Sequence, residues 1–353
     1  MKNKTGLILG KFYPPHKGHQ YLVDFARKYP GISTLYVVVD RTPNETVPQA
    51  LRVRWLQEMF PDVRVLPLGD MNWQSPEDAP SVEEFWQQWR TSLKNAVPGK
   101  IDYCFNSEQY GWRLAEELGA KHIPVDRGRE NFPISGTMVR DDPFAHWEYL
   151  PNEVRPYFTK KVAILGAEAT GKSTLANRLA AYFNTVAVPE YARIYLESLA
   201  EKDQPRSTNY EDIELFADGQ MASETSLTSK ANRVLICDTE AVTTSVWSNT
   251  LYGKVPTAVK EMANEVDYDL YLVANTDVPW VADTHRQWED ESRDGRRRAF
   301  EHRLKGELLA RDKKFIEITG DDFEDRFIQA RDAIIKHAFK GKTYADFGLK
   351  QPS

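Results

Sequence analysis

Cysteine is scarce. The 353-residue chain has two, Cys104 and Cys237, each inside an apolar stretch (IDYCF and RVLICD) and without metal-ligand spacing. That points away from a disulfide framework or a cysteine-held metal, and towards two reduced core thiols. Long apolar runs are also missing. No stretch approaches the roughly 18 apolar residues a membrane helix needs. The opening MKNKTGLILG is too short in its apolar part for a signal peptide and has no small-residue cleavage site after it. A cytoplasmic protein with no membrane partner is expected. There is no basic excess. The 46 Lys+Arg against 52 Asp+Glu give a net charge of −6, which argues against broad electrostatic binding to nucleic acid. Short repeats and low-complexity tracts are absent.

What is present is alternation. Apolar runs of strand length near 7–9, 34–39, 64–68, 101–105 and 122–125 are separated by helix-period segments near 19–29, 49–60, 82–95 and 108–118. Ser81 and Glu84 form an S-x-x-E capping box ahead of Phe85, Trp86 and Trp89. The pattern restarts with strands near 161–165, 185–188, 233–237, 270–274 and 315–319. Helices are expected near 172–183, 190–200, 211–231, 240–251, 256–265, 294–311 and 322–338. This is the βαβ pattern of parallel sheets. The length suits about two domains, so an α/β fold is expected with domains at 1–142 and 161–340. The stretch 143–160, rich in proline and aromatics, reads as a packed connector, and 341–353 as a tail.

GKFYPPHKGH, residues 10–19, follows the first strand. Its prolines bar an immediate helix. His16 and His19, three apart at the mouth of the next helix, can share a face and donate to phosphate oxygens there. In ISGTMVR, residues 134–140, Ser135 and Thr137 can cap a helix and hold phosphate, while Arg140 can grip one bidentately. Each segment alone also reads as plain capping with a surface arginine.

GAEATGKS, residues 166–173, fits G-x-x-x-x-G-K-[ST], with a strand before it and a helix after it. Gly166 and Gly171 let the backbone wrap phosphates, Lys172 neutralises charge, Ser173 offers Mg²⁺ a hydroxyl and Thr174 assists. In RVLICDTE, Asp238 directly follows the apolar run and is the better acidic partner for the metal, with Glu240 two residues on. Glu190, at the end of a strand, is open between a base for the attacking hydroxyl and an N-cap. Arg193 is open between phosphate and Glu190. The polar segment 275–300 reads as a lid, and Arg296–Arg298 as a solvated helix face.

The H-x-G-H and I-S-x-T-x-x-R pair resembles the nucleotidyltransferase superfamily. Together with DRTPNETVPQALRVRWLQEMF, NSEQYGWRLAEELGA and the connector, it resembles the bifunctional NadR family, over roughly residues 5 to 340. The resemblance implies a Rossmann-like nucleotidyltransferase domain that transfers AMP from ATP to nicotinamide mononucleotide (NMN), giving NAD and pyrophosphate. Gly10, Lys11, Phe12, His16, His19, Ser135, Thr137 and Arg140 would hold that ATP, with His16, His19 and Arg140 catalytic. Asp40 could contact NMN. Trp73 is open between stacking on the nicotinamide ring and packing. The second domain would be a P-loop kinase with helices on both faces of its sheet, phosphorylating nicotinamide riboside to NMN. Gly166, Glu168, Thr170, Gly171, Lys172, Ser173, Thr174 and a lid arginine, Arg286, would bind its ATP. Ser173 and Asp238 would hold Mg²⁺; Glu190, Asp238, Glu240 and Trp280 would take the riboside, with Lys172, Asp238 and Glu190 catalytic. The family usually has D-T-D where this chain has D-T-E, so Glu240 is the notable departure. The family also implies a tetramer. The first strand begins by residue 7, so no DNA-reading helix-turn-helix is expected. Three other readings are an adenylyltransferase with an idle kinase, a nucleotide sensor with little turnover, and a fold-level relative with another substrate. The intact motifs disfavour the sensor.

Overall fold

Strand β1 (Lys4–Gly10) forms because Gly6–Leu9 are buried on both faces of a sheet. It begins a βα series in a computed structural model that describes residues 3–69, 71–201, 208–280, 293–343 and 346. Arg286 lies outside the described residues. The chain divides into two units, Met1–Arg155 and Pro156–Ser353.

In the first unit, α1 (Lys17–Lys28), β2 (Ile32–Val39), α2 (Gln49–Met59) and β3 (Arg64–Pro67) follow β1. Then come α3 (Val82–Ala96), β4 (Tyr103–Asn106), α4 (Gly111–Glu117), β5 (Lys121–Pro124) and the short α5 (Gly136–Asp141). The sheet order is β3-β2-β1-β4-β5, all parallel. Successive strand residues face opposite sides. Ile8 and Val37 meet α1 and α2 through Leu22, Val23, Val53 and Leu56. Leu7, Leu9 and Val38 meet α3 and α4 through Trp86, Trp89, Leu93 and Leu114. Each such fully buried aliphatic side chain contributes about 1.5–3 kcal/mol.

Helix α6 (Arg155–Phe158) joins the units. The second unit then runs β6 (Lys160–Leu165), α7 (Lys172–Tyr182), β7 (Ala187–Val188), α8 (Tyr191–Glu201), α9 (Asp212–Thr228) and β8 (Val234–Asp238). It continues with α10 (Ala241–Tyr252), α11 (Thr257–Glu265), β9 (Leu270–Ala274), α12 (Arg293–Ala310), β10 (Phe315–Ile318) and α13 (Phe323–His337). Its parallel order is β10-β9-β6-β8-β7. Ala163, Leu165, Leu235 and Val273 pack with Val242 and Val246 of α10 and Phe300 and Leu304 of α12.

The α/β class and all ten expected strands are present. The stretch 143–160 holds a 3₁₀ turn (Trp147–Tyr149), α6 and the first residue of β6. Among the described residues, no helix is long and apolar enough to cross a membrane.

Candidate active sites

Each sheet has one point where strand order turns, and ligands of open α/β sheets gather beyond the strand ends there. In the first sheet it lies between β1 and β4. A cavity of about 600 Å³ opens there, lined by Gly10, Lys11 and Phe12 after β1, by Asn106 at the end of β4, and by Ser135, Thr137 and Arg140.

His16 caps α1, its Nδ1 accepting the His19 backbone N–H at 3.4 Å. A neutral His16 therefore carries its proton on Nε2. Burial and the nearby Arg129 push its pKa down to about 3. The His19 ring stacks on it with centroids 3.7 Å apart and rests on Phe12 at 4.8 Å. Burial holds His19 well below the usual range too, with help from His16 and Arg129. His19 Nδ1 is buried without a partner. Both imidazoles are thus neutral donors near pH 7, and positive charge at the cavity comes from Lys11, Arg129 and Arg140.

Ser135 caps α5, accepting from the Met138 N–H at 3.2 Å. Arg140 stacks over the Tyr13 ring at 4.3 Å, donates to the Tyr13 carbonyl and to Thr137 Oγ1, the latter at 3.1 Å. Gly136 is required at this crossing: a Cβ there would sit 2.3 Å from the Tyr13 oxygen. The H-x-G-H loop and α5 are thereby brought onto one cavity.

Asp40 lies just past β2, almost fully buried. Its carboxylate accepts from the Arg41 N–H at 2.8 Å and Gln74 Nε2 at 3.3 Å. Burial raises its pKa. Gln74 lines the cavity; Asp40 and Trp73 do not. Trp73 takes the packing role, lying against the cluster of Leu7, Trp86 and Trp89, with its N–H donated to Gln88 and its carbonyl accepting from Trp89. Sequence reasoning missed Asn106, Tyr110 and Arg129, all lining residues. Asn106, as the last residue of a strand beside the switch point, carried a readable signal.

In the second unit the switch point lies at β6, between β9 and β8. Gly166 (φ 148°) passes so close to β9 that a Cβ would lie 2.5 Å from the Ala274 oxygen. Lys172 Nζ donates to the Ala167 carbonyl at 2.9 Å. Two buried arginines grip the loop backbone from outside. Arg297 of α12 donates to the carbonyls of Glu168 and Ala169 at 3.2 and 3.3 Å. Arg326 of α13 donates to those of Thr170, Asn275 and Gly320 at 2.9–3.3 Å. The solvated-face reading of Arg296–Arg298 is corrected at its centre: Arg296 and Arg298 are exposed, while Arg297 is buried because α12 turns that position inward.

A cavity of about 320 Å³ is lined by Glu168 and Thr170–Thr174 of the loop, by Glu190 and Arg193, and by Phe216, Gln220, Thr239, Thr244 and Trp247. Glu190 faces Lys172 and Asp238, and burial raises its pKa. The Tyr191 N–H that follows it donates to Gln220, at 2.9 Å, and not to the Glu190 side chain. Arg193 pairs with Glu197 at 2.9 Å.

Glu240 requires a correction. It is fully buried, and its carboxylate caps α10, accepting from the N–H groups of Val242 and Thr243 at 2.7 and 3.0 Å. Burial pushes its pKa up to about 7. It does not line the cavity, because its extended backbone (φ −165°) turns the carboxylate onto its own helix. Trp280 is not among the lining residues, but its Nε1 donates at 3.4 Å to Oε1 of Glu168, which is. Among the described residues, the tryptophan that lines the cavity is Trp247, an aromatic mid-helix residue with no distinguishing sequence signal.

Ser173 Oγ donates to Asp238 Oδ2, and Asp238 Oδ1 is buried without a partner. A hydroxyl, a carboxylate with a free oxygen, and room for phosphates fit Mg²⁺, which binds through one or two carboxylates plus substrate oxygens.

A family model described as an AAA domain matches residues 161–326. The chain is 32% identical over 346 residues to the "Trifunctional NAD biosynthesis/regulator protein NadR" of Escherichia coli (strain K12), covering 93% of this chain and 82% of that protein. The solved NadR protein in complex with NR superposes with a TM-score of 0.74 at 23% identity, covering 100% of this chain and 99% of its own. NadR in complex with NAD and AMP-PNP gives 0.72 at 23%, covering 99% and 98%. The fold is thus shared through both units.

Proposed function

The chain belongs to the NadR family, and from that premise we infer that it is a bifunctional enzyme of NAD biosynthesis. Its first unit transfers AMP from ATP to NMN, releasing pyrophosphate. Its second phosphorylates nicotinamide riboside with ATP, giving NMN and ADP. The observation that carries this reading is the 32% identity across 93% of the chain, with one phosphate-handling loop at the switch point of each sheet.

In the first unit an NMN phosphate oxygen attacks the α-phosphorus of ATP and pyrophosphate leaves. No acid or base is required, only position and charge. His16 Nε2–H donates to a phosphate oxygen, and His19 does the same from its free edge. Arg140 and Lys11 balance the charge that grows on pyrophosphate. Ser135 and Thr137 complete the ATP side, and Asp40, through Gln74, shapes the NMN side.

In the second unit the riboside 5′-hydroxyl attacks the γ-phosphorus. Glu190, its proton affinity raised by burial, accepts the hydroxyl proton. Lys172 leaves the Ala167 carbonyl to meet phosphate, and Trp247 offers a flat face to the pyridinium ring. Ser173 and Asp238 would hold Mg²⁺, which would neutralise phosphate charge. The idle-kinase alternative is not favoured, since it rested on Glu240, which caps a helix. The ligands are small molecules: ATP, NMN, NAD and nicotinamide riboside. The reading is that of a cytoplasmic enzyme.

The test is incubation with nicotinamide riboside, ATP and Mg²⁺, following NMN and NAD by chromatography. NMN should form first, then NAD. Lys172→Ala should abolish riboside phosphorylation and spare adenylyl transfer, and His19→Ala the reverse. A folded variant that loses both activities would refute the two-site reading.

A further inference from the structure

The ladder between β7 and β8 is short. It pairs Ala187 with Ile236 and Val188 with Cys237, and then Pro189, which has no N–H to give, ends it. The two acids of the site, Glu190 and Asp238, lie just past that end on separate turns. Among the described residues, no backbone hydrogen bond joins residues 189–191 to 238–240. Yet Glu190 faces both Asp238 and Lys172.

Gln220 of α9 stands between the two turns. Its Oε1 accepts the Tyr191 N–H at 2.9 Å, and its Nε2 is shared by the carbonyls of Asp238 and Thr239 at 3.4 and 3.5 Å. A carboxamide accepts at one end and donates at the other, as a peptide group does. It therefore supplies, from a side chain, the rung that the backbone lacks past Pro189.

The strut has firm ends. Next to Gln220, Gly219 leaves the space that the Tyr191 ring fills, and a Cβ there would lie 2.2 Å from that ring. Phe216, one turn earlier on α9, packs on Tyr195 of α8 with centroids 5.6 Å apart. On the other side, the Thr239 N–H is held by the Ile164 carbonyl of β6 at 3.0 Å. Gln220 is 4% exposed and lines the cavity, but both ends of its carboxamide are engaged by backbone. A side chain so placed sets the spacing of its neighbours and leaves the substrate to them.

We propose that Gln220 is a positioning residue of the kinase site, whose carboxamide fixes the Glu190 turn against the Asp238 turn and so holds the base at the acceptor hydroxyl. The proposal rests on the kinase reading of the second unit and on Glu190 as its base.

The experiment is a double-mutant cycle on riboside phosphorylation, with kcat and both KM values measured for the wild type, Gln220→Met, Glu190→Gln and the two combined. Glu190→Gln alone should lower kcat about 100-fold or more. Gln220→Met should lower kcat about 10- to 100-fold, the effect of a small misplacement of the base. Its KM for ATP should stay within about twofold of the wild type. In the Glu190→Gln background, Gln220→Met should slow the reaction by less than about twofold further, because its effect passes through the carboxylate. Hydrogen exchange should quicken at the Tyr191 amide and keep its rate at Ile236. Should Gln220→Met not fold, Gln220→Glu, which keeps the acceptor for Tyr191 and replaces the donor, carries the same cycle. A normal kcat in the folded Gln220 variant would overturn the proposal, as would factors that multiply in the double variant, or a loss that appears in the ATP KM. A Glu190→Gln variant with wild-type kcat would sink the base assignment and the proposal with it. A wild type inactive on nicotinamide riboside would sink the kinase reading itself.

Discussion

Replacing Arg326 with methionine tests whether the P-loop is shaped by its distant arginines. Arg326 is 2% exposed, and its guanidinium donates to three carbonyls, those of Thr170, Asn275 and Gly320. Methionine keeps most of the stem's packing but supplies no donor. Thr170 and Asn275 are buried and Gly320 is exposed, so two carbonyls lose their partner away from water, each at a cost on the order of 1 kcal/mol, about 2 kcal/mol together. Some of it is returned, because burial disfavours the guanidinium charge and lowers its pKa. A net destabilisation of about 1–2 kcal/mol is expected in the second unit. Hydrogen exchange of the β8 and β9 amides across a urea series reads it directly. The Thr170 carbonyl also loses its tether, so the kinase KM for ATP should rise as well. A shift below about 0.5 kcal/mol with a normal ATP KM would show that the carbonyls find other partners and that the arginine does not shape the loop.

Two further outcomes concern the first unit. The folded-state pKa of His16, about 3, lies below its ordinary 6.5, so its contribution to stability is present above pH 6.5 and is lost as pH falls towards 3. The first unit should therefore weaken by several kcal/mol on acidification through that window. His16→Asn, which keeps a capping side chain, should flatten the dependence; parallel pH curves of the urea midpoint would refute this. Gly136→Ala places a Cβ 2.3 Å from the Tyr13 oxygen that also receives Arg140. It should cost about 1–3 kcal/mol and lower adenylyl transfer at least about tenfold, while riboside phosphorylation persists; the two activities assayed side by side decide it.

The strands were legible because buried parallel strands write themselves as apolar runs, and both phosphate loops because glycine, proline and polar residues interrupt those runs at the strand ends. Helix α5 was legible only as a cap, since six residues show no periodicity. Glu240 was misread because composition shows an acid beside Asp238 but not the direction of its side chain. That direction follows from the positive φ of Thr239, and threonine gives no hint of it. Arg297 looked like surface because two exposed arginines flank it. Two of its carbonyl partners, Ala169 and Glu168, are 128 and 129 residues away in the chain and the third, Val278, is 19 away, all beyond the helix's own pattern.

That separation has a consequence for the order in which the molecule comes into being. Domains fold as the chain is synthesised, N-terminal first. The first unit draws its cavity from residues 9 to 140 and can complete it early. The loop at 166–173 emerges soon after, but Arg326 lies 156 residues beyond Thr170. A ribosome-bound chain can therefore display a finished adenylyltransferase pocket while its phosphate loop still lacks one of the side chains that set its curvature. The step that uses the riboside comes first in the chemistry and last in the making of the protein.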